Sequence, residues 1–184
     1  MKKRPHNSPE ENHYIYLENK DLYDEVIERG LLNAQREVLI ATANLKDMRI
    51  KYRGKYISIV GVLSGLVFKG VSIKLLHSSN PSKPYLKSLK KTTLEKQQNF
   101  QRRQCPRVHL KAIIVDKSWL YLGSANITGA GLGQKSEKNR NFEIGLLIKD
   151  PVMIRNVSAL FEHIWNGGYC HNCGRRPECP KPIK

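Results

Sequence analysis

The stretch Val108-His109-Leu110-Lys111-Ala112-Ile113-Ile114-Val115-Asp116-Lys117-Ser118-Trp119-Leu120-Tyr121-Leu122-Gly123-Ser124-Ala125-Asn126 decides the fold. Its first eight residues alternate around His109 and Lys111, and the twofold period of an extended strand puts both side chains on one face. An ordinary core strand would not choose an imidazole and an ammonium there. The apolar run stops at Val115, Asp116-Lys117-Ser118 reads as a tight turn, and Trp119-Leu120-Tyr121-Leu122 reads as a second strand ending in Gly-Ser-Ala-Asn. A hairpin of this shape returns Ser124 and Asn126 to the side of His109 and Lys111.

These residue types suit phosphodiester chemistry. An imidazole serves as nucleophile or general acid and base near neutral pH, while Lys111 and Asn126 can hold the non-bridging oxygens whose charge grows at the transition state. The spacing His-x-Lys-x-x-x-x-Asp with Gly-Ser-x-Asn downstream, followed by Asn141-Phe142-Glu143, resembles the signature of the phospholipase D superfamily. A single His on a strand is more often structural than nucleophilic. Positions 109, 111, 116, 123, 124 and 126 matching together reverse those odds.

The resemblance implies an α/β sandwich, a mixed β-sheet flanked by helices, with one motif per chain. It implies that His109 attacks phosphorus to give a phosphohistidine, which water or another alcohol resolves, and that catalysis needs no metal. Ser124 would help orient the site, and Glu143 would accept a hydrogen bond from an imidazole and so fix its tautomer. Asp116 fits the motif, but its place at the turn points to a structural role.

The family implies two such histidines, one to attack and one to protonate the leaving group. This chain has one: His6, His13, His77, His163 and His171 are not followed two residues later by Lys. A twofold axis brings the same patch of two subunits together. The expectation is therefore a homodimer in which both His109 side chains face one phosphate.

At 184 residues the chain accommodates one domain with its own core and is short for a duplicated two-motif architecture. Its formal charge of +16, from 32 Lys and Arg against 16 Asp and Glu, speaks to partners rather than fold. The clusters are Lys2-Lys3-Arg4, Lys46 to Lys55, Lys83 to Lys96, and Arg102-Arg103 with Arg107. Charge runs usually face water, yet beside a phosphodiesterase motif they favour a groove following a nucleic-acid backbone. Arg103, Arg107, Lys135, Lys138 and Arg140 are the candidate substrate contacts. The leading reading is a nuclease acting on DNA or RNA. The alternatives are a phospholipid hydrolase of cardiolipin type, since basic surfaces attract anionic membranes, and a nucleic-acid-binding module without catalysis.

The longest apolar stretch, Ile57 to Phe68, is short for a bilayer and bounded by Lys55 and Lys69, so no transmembrane segment is expected. The basic start lacks an apolar core behind it and does not have the form of a signal peptide, which makes a cytoplasmic location the expectation. Residues 1–12 read as a flexible basic arm, 13–168 as the catalytic domain and 169–184 as a Cys-rich tail. Within the domain the periodicity predicts a helix over Asn19 to Gln35, a strand over Glu37 to Ala43 and a helix over Tyr56 to Phe68 stopped by Gly70. It then predicts a strand from Val71 to Leu76, a surface helix in the Lys- and Gln-rich stretch of residues 78–104, a strand from Phe142 to Ile148 and a helix from Pro151 to Trp165. The Gly-rich segment from Gly129 to Asn141 lacks the context of a nucleotide fingerprint and reads as a mobile loop beside the site.

Cys170, Cys173 and Cys179 compress three thiols into ten residues. A Cys-x-x-Cys knuckle with a third Cys nearby suits tetrahedral zinc, with Cys105 as the favoured fourth ligand and His171 or His163 as alternatives. A disulfide or free thiols are the competing readings, and an intracellular setting disfavours the disulfide. The zinc would be structural, pinning the tail to the catalytic strand.

Overall fold

A computed structural model describes residues 13–183, so the expected N-terminal arm lies outside the described residues. Among the described residues, nine strands and three α-helices are arranged in three layers. Strand β1 is Tyr14–Glu18, β2 Glu37–Thr42, β3 Arg49–Tyr52, β4 Lys55–Ser58, β5 Ser72–His77, β6 Phe100–Gln104, β7 Ala112–Val115, β8 Trp119–Gly123 and β9 Ile144–Ile148. Helices α1 (Ile59–Phe68), α2 (Lys83–Lys90) and α3 (Pro151–Trp165) are joined by a π-helix, Tyr23–Gly30, and short 3₁₀ turns. The main sheet has the order β1-β9-β8-β7-β2-β5-β6. Its β2, β5 and β6 run parallel, and from β2 across β7, β8 and β9 to β1 every neighbour is antiparallel. This is the mixed α/β sandwich expected above.

Burial explains the layers. Odd-numbered Ile113, Val115 and Tyr121 face a core formed with the π-helix, α1 and α2. Even-numbered Ala112, Ile114 and Leu120 face a second core under α3. Because helices cover both faces, β2 reads as the continuous apolar run Val38–Ala41 instead of an alternation. On α3, Ile154, Phe161 and Trp165 are buried, and burying each contributes about 1.5–3 kcal/mol. Asp150 caps that helix, its carboxylate accepting the Met153 N–H at 2.6 Å, and Pro151 starts it.

Three of the expected helices differ in extent. The helix expected from Tyr56 starts only at Ile59, where Ser58 caps it by accepting the Gly61 N–H at 3.0 Å. Tyr56 belongs to the hairpin β3–β4, turned by Arg53 and Gly54 at φ of 50° and 76°. Residues 78–104 carry a helix only over α2 and end in strand β6, where Phe100 alone is buried and no apolar alternation marks the edge. The first helix is also shorter than expected. Asn19 has left-handed φ of 50° and its N–H donates to Glu143 O at 3.2 Å, so the chain enters the helix only after β1 has paired with β9. Asn33 closes the helix by donating to the carbonyls of Glu28 and Arg29. Among the described residues no helix is long and apolar enough to cross a membrane.

Candidate active site

Antiparallel pairing places the end of β2, the start of β7, the end of β8 and the start of β9 at one edge of the sheet. Open α/β sheets bind ligands outside the carboxyl ends of their parallel strands, and this edge is that side. His109 and Lys111 lie in the extended lead-in to β7, which becomes a paired strand only at Ala112; Lys111 O still accepts Gly123 N–H at 3.2 Å. His109 is exposed. The Lys111 ammonium stands 3.1 and 3.2 Å from its two ring nitrogens and donates to His109 O at 2.9 Å. Burial pushes the Lys111 pKa below the ordinary lysine value, with the charge of Glu143 opposing it. The imidazole, the ammonium and a carboxylate thus share one small region.

Asn126 is held from β2. Its Oδ1 accepts the Asn44 backbone N–H at 2.9 Å and the Thr42 hydroxyl lies 3.3 Å away. Thr42 is fully buried; its hydroxyl donates to Asn44 O at 2.8 Å and accepts Ile127 N–H at 3.1 Å. With Oδ1 accepting the Asn44 N–H, the amide nitrogen of Asn126 is the group left to meet a phosphoryl oxygen. Asn44 connects outward through Ser79, whose hydroxyl donates to Asn44 Oδ1 at 2.9 Å. Behind Ser79 lies His77, fully buried, its Nδ1 2.9 Å from Ser79 O and its Nε2 3.1 Å from Arg102 Nη1. Burial and Arg102 hold the His77 pKa down. Thr42, Asn44, Ser79 and His77 were missed by sequence reasoning, although a Thr and an Asn closing the apolar run Val38–Ala41 were the available signal.

Ser124 and Glu143 form a second bonded pair. The Ser124 hydroxyl donates to the Glu143 carboxylate and receives the Ile144 N–H at 3.2 Å. Asn141 donates to the other Glu143 oxygen at 3.0 Å. Glu143 thus meets Ser124 and Asn141, rather than an imidazole, within the chain. The Gly-Ser pair has a steric reason: a β-carbon on Gly123 would lie 2.5 Å from Ile144 O and 2.6 Å from the Tyr121 hydroxyl. Only glycine lets β8 and β9 converge there.

Asp116 stands at the opposite end of β7, away from this cluster. Its carboxylate accepts backbone N–H groups of Gln35 (2.9 Å), Arg36 (2.7 Å) and Glu37 (2.9 Å), and it turns the hairpin at φ 54°. Its role is to tie the β7–β8 turn to the start of β2, as its turn position suggested.

The basic candidates divide. The Gly129–Asn141 loop is folded, with Leu132 fully buried and bonds from Leu132 N–H to Thr128 O and Lys135 N–H to Gly129 O. Lys135 joins Lys46 and Arg49 in a groove of about 320 Å³ that includes Thr128, two residues beyond Asn126. Lys138 is exposed and Arg140 half-buried on the same loop. Arg103 and Arg107 lie elsewhere. Arg103 stacks over the Trp165 ring at 4.8 Å and donates to Trp165 O, and Arg107 lies 5.9 Å over Tyr169. Arg103 is thus engaged by α3, while Arg107 is exposed beside the tail.

Cys105, Cys170, Cys173 and Cys179 are free thiols that line one pocket. Among the described residues no three His, Cys, Asp or Glu groups are set to hold a metal ion. His163 meets Tyr169 edge-on at 4.5 Å between ring centres.

The family model described as "Cardiolipin synthase, PLD-like domain" matches residues 27–165. Among solved structures, NucT from Helicobacter pylori is similar at 16% identity and a TM-score of 0.60, covering 83% of this chain and 96% of its own. Nuc, a phospholipase D family member from Salmonella typhimurium, is similar at 15% identity and a TM-score of 0.59, covering 83% and 93%. TrmBL2, an archaeal chromatin protein whose structure shows a novel mode of DNA binding, is similar at 20% identity and a TM-score of 0.56 over 86% of this chain. The chain spans about half of that protein, 54%. At such identities these likenesses speak to the fold alone. Comparison with curated proteins found no significant match. The matched segment covers most of the sandwich and every element of the His109–Glu143 cluster, and the chain belongs to the phospholipase D superfamily.

Proposed function

We propose that this chain is a nuclease that cleaves the phosphodiester backbone of DNA or RNA through a phosphohistidine, in a site completed by a second copy of itself. The observation that carries the reading is the convergence of His109, Lys111, Asn126 and the Ser124–Glu143 pair at one strand edge. In the proposed reaction a ring nitrogen of His109 attacks phosphorus. The P–O bond to the leaving oxygen breaks, and that oxygen takes a proton from the second subunit's imidazole. Water then attacks the P–N bond's phosphorus, gives its proton to the same imidazole, and frees His109. Lys111 and the Asn126 amide would stabilise the charge on the non-bridging oxygens throughout.

Two features support a polymer substrate and a partner copy. The groove near Asn126, lined by Lys46, Arg49 and Lys135 with Asp47 the one acid among them, offers a phosphate polymer a surface of net positive charge on a chain of net charge +16. Next to Glu143, Phe142 is 95% exposed, and Ile144, Tyr14 and Tyr16 extend this apolar surface along β9 and β1. Such surface beside a half-site suits an isologous contact. The same apolar rim favours the second reading, a phospholipid hydrolase whose rim meets acyl chains.

The test incubates wild type and His109→Ala with labelled single- and double-stranded DNA, RNA and cardiolipin vesicles in EDTA. Cleavage of nucleic acid lost in the variant supports the proposal; cleavage of cardiolipin alone replaces it with the lipid reading. Binding of nucleic acid without cleavage by either protein overturns both in favour of a binding module.

A further inference from the structure

We propose that Cys105, Cys170, Cys173 and Cys179 bind one zinc ion that fastens the C-terminal tail to the segment leading into His109. These are all four cysteines of the chain, all free, and they line a single pocket although Cys105 is remote in sequence from the other three. Four thiols meeting this way without a disulfide have two chemical uses, metal ligation and redox exchange. The first needs no oxidant.

The tail itself supplies the independent argument. From Asn166 to Ile183 no residue is buried. The segment is built from turns, among them Cys173 N–H to Cys170 O at 3.4 Å and Arg176 N–H to Cys173 O at 3.1 Å. A segment with no fully buried side chain has little hydrophobic free energy to offset its ordering entropy, and small coreless units are held by disulfides or metals. One direct tie to the body is Arg175, donating to Pro106 O at 3.1 Å, next to Cys105. Beyond that bond, Tyr169 packs edge-on against His163 and under Arg107, and the thiols are the remaining groups that meet the lead-in.

Charge agrees with thiolate ligation. Zinc with four thiolates carries a net charge of about −2, and the same pocket is lined by Arg107, Arg175 and Arg176. Three guanidiniums around four thiols would repel a bare cation but complement a zinc tetrathiolate. The sulfurs do not already converge on one point, so the ion must draw them in to about 2.3 Å. A tail of exposed turns can contract in that way at little packing cost. The proposal does not rest on the nuclease reading, since the imidazole chemistry makes no use of the ion.

The full chain, purified without chelator, is assayed for metal by mass spectrometry and for thiols by a chromogenic disulfide reagent. The expected result is about one zinc per chain, with the thiols protected until a strong chelator is added. Cys105→Ser and the double variant Cys170→Ser/Cys173→Ser should each lower zinc content at least about tenfold. Cobalt(II) loaded into refolded wild-type chain should give the intense absorption of a tetrahedral thiolate site, which keeps the test decisive if a variant fails to fold. Metal-free chain, disulfides by non-reducing mass analysis, or full zinc retention in Cys105→Ser would each overturn the proposal.

Discussion

Thr42→Val isolates the idea that the catalytic amide is positioned from inside the sheet. Valine puts a methyl where the hydroxyl was, so no cavity term enters and the cost lies in the lost hydrogen bonds. What is lost is one hydroxyl, which donates to Asn44 O at 2.8 Å and accepts Ile127 N–H at 3.1 Å. Asn44 is exposed and its carbonyl can turn to water, whereas the Ile127 N–H is buried and loses the hydroxyl oxygen that accepts it. Stranding a buried donor costs about 1–3 kcal/mol, so the variant should lose about 2 kcal/mol in urea unfolding. For a chain of this size that is about 4–8 °C in Tm. Asn126 keeps its bond from Asn44 N–H, so turnover should fall about tenfold, short of the 10²- to 10³-fold cost of deleting a transition-state donor, with KM little changed. A variant within about 0.5 kcal/mol of wild type and with full kcat would refute the positioning argument.

Other expectations use the same geometry. Asp116→Ala removes an acceptor of three backbone N–H groups and puts a β-branch-free but still chiral residue at φ 54°; it should cost about 3 kcal/mol, and Asp116→Asn about 1 kcal/mol, in denaturant titrations. Burial raises the Asp116 pKa, but the three N–H groups and Arg36 bring it to a net value below 3.8, so its contribution is present above pH 3.8 and is lost as pH falls through the folded value. Burial depresses the His77 pKa below 6.5, so stability should decline as pH falls from 6.5 through that lowered value, and His77→Asn should flatten the decline. If phosphodiester cleavage needs the Lys111 ammonium, its alkaline limb should fall below pH 10.5, because burial lowers the Lys111 pKa. Lys111→Arg should move that limb upward; an unmoved limb would assign it to another group.

Sequence legibility tracked how each element is buried. α3 was legible to its ends because Asp150 and Pro151 mark its start and its apolar face recurs through Ile154, Phe161 and Trp165. β2 and β5 were legible as apolar runs since both faces are covered. The edge strands were not. β1 buries only Leu17 and β6 only Phe100, so neither shows a period to read. The motif residues were legible because chemistry restricts their types, whereas Thr42 and His77 act by holding backbone and neighbours, which no spacing in the chain announces. Arg103 reads as a substrate contact from charge alone, and no spacing in the chain announces that it stacks on Trp165 and donates to its carbonyl.

The central claim, that two copies share one site through their His109 side chains, is tested most directly with hybrid dimers. Wild-type and His109→Ala chains carrying different tags are co-expressed, the mixed species is isolated, and its cleavage rate is compared with the wild-type protein. A positioned general acid contributes about 10²- to 10⁴-fold, so a hybrid lacking one imidazole should retain at most about 1% of wild-type turnover. Half of the wild-type rate would mean that each chain works alone, and would contradict the shared site.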